Sequence, residues 1–516
     1  MKSLIKGILL IFILQSGLSI YSQELVELPM KQSKKIIVRL MFRTGSICDP
    51  KDKEGLTYMT ANAIAEGSTR EMSKSDIEDF IYPMAADYGV TVDKEVTVFY
   101  FEFPSDFEED FYPIIYGLMR EPAFKEKDFD RVKARQENFI SRIIKNSSDE
   151  DYSKVILEEF LFAGSNYAHP VQGYEHSVKS ITLDEVKDQF HKYFTRDNLI
   201  VGIAGNYSNE FKERLMSDMK TLPSLETDLP TPGKAHMPDG YEVKIVTKPD
   251  AFGSAIYMGY PLNITRANDD FAALMVANSY LGEHRKSYGK LYNKIRKIRS
   301  MNYGDYSYIE WYPMGSNYQL PIAGFPRSSN YFSIWIRPVQ TAEKLRAAYP
   351  ELKDVQLGHA YFAMRTAIRE YDMMVKNGLT EEDFELTRDF LRSYIKLYVK
   401  SPAQRLGYLM DSRFYGRKDW INEADKLLSK LTLKDVNEAM KKYFKTGDFA
   451  IAVVTSENEG KVLAHYMRQG LPSPMVYNNT VKEGLPEEVL AEDQKIMVYR
   501  MKASYVEIEP STEVFK

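Results

Sequence analysis

Alternating hydrophobic and polar residues predict β-strands in both halves of the chain. The predicted strands lie at 36–43, 90–103 (a hairpin region), 199–205, 254–260, 331–337 and 449–454. Helical patterns predict helices at 55–69, 106–119, 126–145 and 271–281, and two long helices in the second half. Gly378 stops the first long helix, and Thr380 with Asp383 resembles a capping box for the second. Strands and helices are mixed within each half, which predicts α+β domains.

The second half repeats the outline of the first, with a proline-rich stretch between them. Residues 222–240 contain Pro223, Pro230, Pro232 and Pro238, and prolines at this density prevent a regular element. We therefore expect an N-terminal domain at 23–221, a linker at 222–240, a C-terminal domain at 241–470 and an extension at 471–516. Within the extension, the stretch KIMVYRM (495–501) is predicted to add an edge strand.

Composition limits the possible partners. The chain has 516 residues, 44% of them hydrophobic, a net charge of −5 and a pI near 6.0. Without a basic excess, nucleic acid is an unexpected partner. The single cysteine, Cys48, allows no internal disulfide and is expected to be a small buried side chain.

The N-terminus has the layout of a secretory signal peptide. Lys2 and Lys6 form a short positive region, residues 8–14 are an unbroken apolar run, and small or polar residues follow. The apolar run is too short to span a membrane, which takes roughly 20 residues. We expect a signal peptide at 1–22, cleavage after Ser22, and a mature protein without a membrane span that is most simply placed in the periplasm.

The predicted helix at 55–69 has the spacing of a catalytic zinc-binding helix but lacks the residues that would bind zinc and activate water. Tyr58, Ala61 and Asn62 stand at i, i+3 and i+4 and project from one face. Histidines at 58 and 62 would bind zinc, and a glutamate at 61 would activate its water. The residues present supply no zinc ligand pair and no general base, so we expect no catalytic zinc in this chain.

The remaining candidates offer no replacement site. None of the histidines are paired at i, i+4, and His169 and His176 flank a loop-like stretch; the seven are His169, His176, His191, His236, His284, His359 and His465. The sequence also has no glycine-rich phosphate loop and no G-x-S-x-G nucleophile elbow.

The segment FRTGSICDPKDKEGLTYMTANAIAEGST (42–69) resembles the M16 metallopeptidases (pitrilysin-, insulinase- and mitochondrial-processing-peptidase-like), where it ends in the inverted zinc motif HxxEH. In that alignment Tyr58 and Asn62 replace the two histidines, and Ala61 replaces the general-base glutamate. The family's third ligand, a glutamate on the helix at 126–145, aligns with Ser141, one turn from Glu137. The resemblance covers nearly the whole mature chain. It implies two homologous LuxS/MPP-like domains, each a mostly antiparallel sheet with helices packed on one face.

A second resemblance lies in the other half, in GKLYNKIRKIRSMNYGDYSY (289–308). Active M16 members carry an arginine and a tyrosine seven positions apart that contact the substrate backbone and the oxyanion; here these are Arg296 and Tyr303. Arginine offers a fixed fork of donors to peptide carbonyls, and a tyrosine hydroxyl can donate to an oxygen that develops negative charge. The stretch 310–329 is longer than the family's turn, and both a lid and an interface loop stay open for it.

The resemblance implies the non-catalytic, substrate-binding subunit of a heteromeric M16 zinc metallopeptidase. An HxxEH-bearing partner chain would supply the zinc, its water and the general base in a heterodimer, and this chain would hold no cofactor. The substrate would be an unfolded peptide, paired with a sheet edge through sequence-tolerant backbone hydrogen bonds. The alternative is a catalytically inert peptide-binding or scaffold protein of the same fold, in which Arg296 and Tyr303 are incidental.

Overall fold

The computed structural model describes residues 24–146, 148–284, 286–312, 322–399 and 401–516, without the side chains of Tyr303 and Tyr398. The predicted signal peptide and the middle of the 310–329 stretch lie outside the described residues. The strands are β1 (Glu24–Pro29), β2 (Lys35–Phe42), β3 (Asp87–Val92), β4 (Thr97–Pro104), β5 (Leu199–Gly205), β6 (Tyr241–Thr247), β7 (Ala255–Leu262), β8 (Asn302–Tyr308), β9 (Asn330–Pro338), β10 (Phe449–Thr455) and β11 (Ala503–Pro510).

Helices follow the strands in both halves. Those of the first half are α1 (Leu56–Ala65), α2 (Lys74–Ile81), α3 (Glu108–Arg120), α4 (Glu126–Asn138), α5 (Asp149–Leu161), α6 (Glu175–Ser180), α7 (Leu183–Tyr193) and α8 (Asn209–Met219). Those of the second half are α9 (Phe271–Gly282), α10 (Ala342–Ala348), α11 (Ala360–Asn377), α12 (Glu381–Tyr398), α13 (Pro402–Phe414), α14 (Trp420–Lys430), α15 (Leu433–Tyr443), α16 (Glu457–Gln469), α17 (Asn479–Glu483) and α18 (Glu487–Ile496). Two π-helical segments, Phe139–Ile144 and Tyr292–Lys297, accompany them.

The strands form two sheets, one for each half. The first has the order β1-β5-β2-β4-β3, and the second has the order β11-β6-β10-β7-β9-β8. Pairing is antiparallel except where β1 joins β5, β10 joins β6 and β11 joins β6. In both sheets the strand that follows the first helix of its half, β3 or β8, lies at an edge. The prediction of two related α+β domains with mostly antiparallel sheets is confirmed.

Each sheet is covered on its second face by a helix from the other half of the chain. Helix α5 packs on β7 and β10 of the second sheet, while α13 packs on β1, β2 and β5 of the first. This exchange explains why β5 (LIVGIAG) and β10 (FAIAVVT) are continuous apolar runs whose residues are all buried, since a strand covered on both faces has no solvent side. Helices therefore lie on both faces of each sheet, and the helix on the second face comes from the other half of the chain.

Two sequence details are borne out by the caps. Thr380 Oγ1 accepts the backbone N–H of Asp383 at the start of α12, and Gly378 ends α11 with φ of 75°. The predicted edge strand at 495–501 is wrong, because Lys495 and Ile496 complete α18 and the edge strand is β11. Ile496 and Met501 are instead buried in the hydrophobic core of the second half. Residues 222–240 contain no helix or strand.

Among the described residues, none of the helices combines the length and the apolar character that crossing a membrane requires.

Candidate functional site

Helix α1 begins at a cap built by a distant carboxylate. Asp49 accepts the backbone N–H groups of Gly55 and Thr57, both at 2.7 Å, which pairs two donors that a helix start leaves without partners. Gly55 has φ of 94°, and a Cβ there would lie 2.4 Å from the backbone oxygen of Gln172. Glycine is therefore required at this junction, and α1 is held in one place against the loop at 172.

The three motif positions lie on α1 in a mostly apolar setting. Ala61 is fully buried in the core of the first sheet, Tyr58 is half-buried against the same core, and Asn62 is buried. The amide nitrogen of Asn62 donates to the backbone oxygen of Tyr58 at 2.8 Å, within the helix. Burial raises the pKa of the Tyr58 phenol, which keeps it in the neutral form that binds zinc poorly.

A guanidinium from α4 contacts the position of the second histidine. Arg135 Nη2 donates to Asn62 Oδ1 at 3.2 Å, and Nη1 of the same side chain is paired with the Glu66 carboxylate. Arg131 Nη2 also donates to the backbone oxygen of Glu66. The α1–α4 contact at this point is thus made by cationic side chains, where the resemblance would place a metal ion.

The position of the third ligand lies in the π-helical segment that continues α4. Ser141 Oγ donates to the backbone oxygen of Glu137 at 2.9 Å, so its described contact is to its own helix. Gln136 fastens this helix to the start of α1 by donating from Nε2 to Gly55 O at 3.0 Å and to Gln172 O at 2.8 Å. Helices α1 and α4 are therefore held together at the place where the resemblance puts the zinc site.

These residues do not fit a zinc ion. Within the described part of the chain, no group of three or more His, Cys, Asp or Glu side chains is arranged to hold a metal. Structural and catalytic zinc need imidazole, thiolate or carboxylate ligands. At this site an amide, a neutral phenol, a methyl group and a hydroxyl stand beside the Arg135 cation.

Arg296 lies in the π-helical segment that precedes the edge strand β8. Its guanidinium carbon is 5.1 Å from the centre of the Tyr292 ring, and its side chain is half-buried. Tyr303 is the second residue of β8, and its side chain lies outside the described residues. The chain thus places the backbone of both predicted substrate contacts at one edge of the second sheet, and π-helical turns are frequent at functional positions.

A buried carboxylate lies near Arg296. Asp305, also in β8, is 1% exposed. Burial raises the pKa of Asp305 well above its ordinary value, and the Asn302 side chain and then the Arg296 charge offset part of that shift. Asp305 is thus a buried carboxylate whose charge interacts with that of Arg296, and the sequence pattern did not single it out.

The C-terminal extension fastens the segment that carries Arg296. Arg299 donates from Nε to Asp493 and from Nη2 to Glu492, each at 2.8 Å, and Lys294 reaches Glu492 at 2.8 Å. The Arg299 side chain is fully buried. Cations on both sides of Arg296 are therefore fixed to α18, a connection between residues almost 200 positions apart that no local pattern could predict.

The two halves are joined by a second buried network that the sequence analysis did not find. Arg327 donates to both oxygens of Asp93 at 2.6 and 2.7 Å and to Glu158 at 2.6 Å. Asp93 follows β3 and Glu158 lies in α5, so Arg327 connects the second half to two elements of the first. All three side chains are buried.

Comparison with known proteins bears on both halves of the chain. The model for insulinase (peptidase family M16) matches residues 25–168, and the model for the peptidase M16 inactive domain matches residues 180–391. Together they cover more than half of the chain. Both the N-terminal and the C-terminal type of M16 domain are therefore present.

Relatives and solved structures agree with this assignment. The "non-peptidase homolog YmxG" of Helicobacter pylori is 25% identical over 82% of this chain and 90% of its own length. An "uncharacterized zinc protease YmxG" of Bacillus subtilis is 19% identical over 82% of this chain and 93% of its own. A peptidase M16 inactive domain from Pseudomonas fluorescens superposes with a TM-score of 0.70 at 19% identity, over 84% of this chain and 96% of that one. The chain belongs to peptidase family M16.

Proposed function

We propose that this chain is the non-catalytic, substrate-binding subunit of a heteromeric M16 zinc metallopeptidase that processes or degrades unfolded peptides. The observation that carries the proposal is a difference between the two parts of the site, the zinc-ligand positions and the substrate-contact positions. On α1 and on the π-helical segment after α4 the aligned ligand positions carry other residues, and Arg135 donates a hydrogen bond to Asn62. In the second half, Arg296 and Tyr303 retain the spacing of the substrate contacts and lie beside the edge strand β8.

In this proposal the partner chain bears the HxxEH motif and supplies zinc, water and the general base. Arg296 donates from its guanidinium to a peptide carbonyl and fixes the register of the substrate. The Tyr303 hydroxyl donates to the oxygen that becomes negative as the tetrahedral intermediate forms. Neither residue acts as a general acid or base. This chain therefore contributes orientation of the substrate and stabilisation of the negative charge on the intermediate.

The edge strands provide the surface for the peptide backbone. Strands β3 and β8 each pair on one side only among the described residues, and an unpaired edge can accept an extended peptide as an additional strand. Backbone pairing is tolerant of sequence, which suits substrates that are defined by being unfolded. The predicted signal peptide adds the proposal that the complex works in the periplasm.

The experiment is a reconstitution with an exported HxxEH-bearing M16 chain from the same source. Cleavage of an unfolded, fluorogenic peptide is measured for each chain alone and for their equimolar mixture, and complex formation is followed by size-exclusion chromatography. We expect a complex and a rate well above that of the partner alone. A cleavage rate of the mixture that equals the rate of the partner alone contradicts the proposal. If the two chains nevertheless form a complex, that result favours the scaffold alternative.

A further inference from the structure

A cavity of about 180 Å³ lies beside the Arg327 network, where elements of the two halves meet. Its apolar wall includes Trp311 and Phe325 of the second half, whose rings are 5.2 Å apart. Its polar wall consists of charged side chains from the turn after β3, from α5 and from the segment before β9: Asp93, Lys94, Lys154, Glu158 and Arg327. The cavity thus combines an aromatic surface with a concentration of charge.

The charges of this wall do not balance. Three cations, Lys94, Lys154 and Arg327, face two carboxylates, Asp93 and Glu158. Both carboxylates are already engaged, because Arg327 pairs with both and Lys94 lies 3.6 Å from Glu158. Lys94 also donates to the backbone oxygen of His169. The remaining cation, Lys154, has no acceptor left in the wall.

Lys154 is 4% exposed and lines the cavity. Within the described ranges its ammonium makes no hydrogen bond or ion pair, and its contact is with the Trp311 ring, whose centre is 4.8 Å away. A cation–π contact compensates only part of the cost of burying an ammonium group. Burial accordingly lowers the pKa of Lys154 to about 7, although Glu158 and Asp151 partly offset the shift.

We infer that this cavity binds the carboxylate of a small organic anion, with the negative group on Lys154 and an apolar body against Trp311 and Phe325. A bound carboxylate supplies the acceptor that the ammonium lacks. Two sources offer this chemistry: a free small acid and the C-terminal residue of a peptide. Because Lys154 lies in α5, which packs on the second sheet, the bound anion joins the two halves of the subunit.

Binding is tested by isothermal titration calorimetry on the purified chain. The probes are benzoate for a free acid and N-acetyl-alanyl-phenylalanine for a chain end, with benzamide and the corresponding peptide amide as neutral isosteres. We expect at least one carboxylate to bind and its amide to bind about tenfold more weakly or not at all, since a charge-assisted hydrogen bond is lost. The acid that binds more tightly shows whether the natural anion is a free small acid or the C-terminal residue of a peptide.

Proton linkage provides a readout that a general apolar pocket would not give. An anion stabilises the charged form of Lys154, so binding at pH 8 takes up a proton that binding at pH 6 does not, measured in buffers of different ionisation enthalpy. The other charged groups that face Lys154 are Asp93, Lys94, Asp151, Glu158 and Arg327. We expect Lys154→Met to abolish the uptake and to weaken binding about tenfold or more, while Lys434→Met, at an exposed position of α15, changes neither.

Three results overturn the inference. They are the failure of both acids to bind at concentrations up to the millimolar range, equal binding of the amides, and unchanged carboxylate binding by a Lys154→Met variant whose thermal unfolding shows that it is folded. Replacing a buried, unpaired charge by an apolar side chain of similar length is expected to preserve the fold. The test requires no partner chain, so its result is independent of the reconstitution above.

Discussion

Arg135 of α4 donates a hydrogen bond from Nη2 to Oδ1 of Asn62 on α1, at 3.2 Å. The position that the resemblance aligns with the second histidine of the zinc motif is therefore hydrogen-bonded to a cation from α4. This contact between the two helices is extended by the pairing of Arg135 with Glu66. Together with the contact of Gln136 to the backbone oxygen of Gly55, it joins α4 to α1.

Restoring the motif alone is predicted to be insufficient for zinc binding. In the variant Tyr58→His/Ala61→Glu/Asn62→His, the Arg135 charge still repels a divalent cation, and Ser141 supplies no carboxylate as third ligand. Adding Arg135→Ala and Ser141→Glu should raise the zinc content after dialysis, measured by mass spectrometry, towards about one ion per chain. The control is Arg135→Ala/Ser141→Glu without the histidines. Equal zinc retention by the three-fold and five-fold variants would show that Arg135 and Ser141 are not the obstacle.

The Arg327 network is predicted to be a main connection between the halves. Arg327→Met leaves Asp93 and Glu158 buried without their partner, which should lower the free energy of unfolding by about 3–5 kcal/mol. Arg70→Met serves as the control, because Arg70 is mostly exposed and lies 3.8 Å from Glu121; its cost should stay within about 1 kcal/mol. Denaturant unfolding of both variants measures the difference, and similar costs would contradict the assignment.

The extension is predicted to hold the Arg296 segment in place. Asp493→Asn weakens the buried pair with Arg299, so hydrogen exchange of the amides at 292–299 should accelerate while exchange in α1 stays unchanged. Tyr477 also donates to Asp493 at 2.8 Å, so Tyr477→Phe is the matched control that keeps the carboxylate. Unchanged exchange at 292–299 in Asp493→Asn would show that α18 does not position this segment.

Stability should depend on pH through Lys154. Its pKa falls from the ordinary 10.5 to about 7 in the folded state, so between these values the unfolded chain binds more protons than the folded one. The free energy of unfolding therefore gains a contribution as pH rises from about 7 towards 10.5, worth about 1.4 kcal/mol for each pKa unit. Lys154→Met should lack this contribution. Parallel pH profiles of parent and variant, from denaturant unfolding, would contradict the lowered pKa.

Much of the fold could be predicted because its signals are local. The alternating stretches became β2, β4 and β9, and the turn chemistry at Thr380 became the start of α12. The exchange of α5 and α13 between the halves could not be predicted in this way, since an amphipathic helix does not specify which sheet it covers.

The same distinction applies to the site. The predicted replacement of three zinc ligands and of the general base concerns four sequence positions, and the prediction needs no structure. The contacts of Arg135 with Asn62 and of Arg299 with Asp493 join positions 73 and 194 residues apart, and they depend on helix packing. Lys154 carries no sequence signal at all, because its lowered pKa and its place in the cavity both arise from tertiary burial.

The most direct test of the central claim is the rate of peptide cleavage by the complex with an HxxEH-bearing partner, with substitutions made in this chain alone. We predict that Arg296→Ala lowers kcat/KM about 10- to 100-fold, as the loss of a charge-assisted hydrogen bond requires. Tyr303→Phe should lower kcat by about 10²-fold or more, as the loss of an oxyanion donor does. Both variants should bind the partner normally, and Lys297→Ala, at the exposed neighbouring position, should retain the full rate. Full activity of Arg296→Ala and Tyr303→Phe in an intact complex would contradict the account.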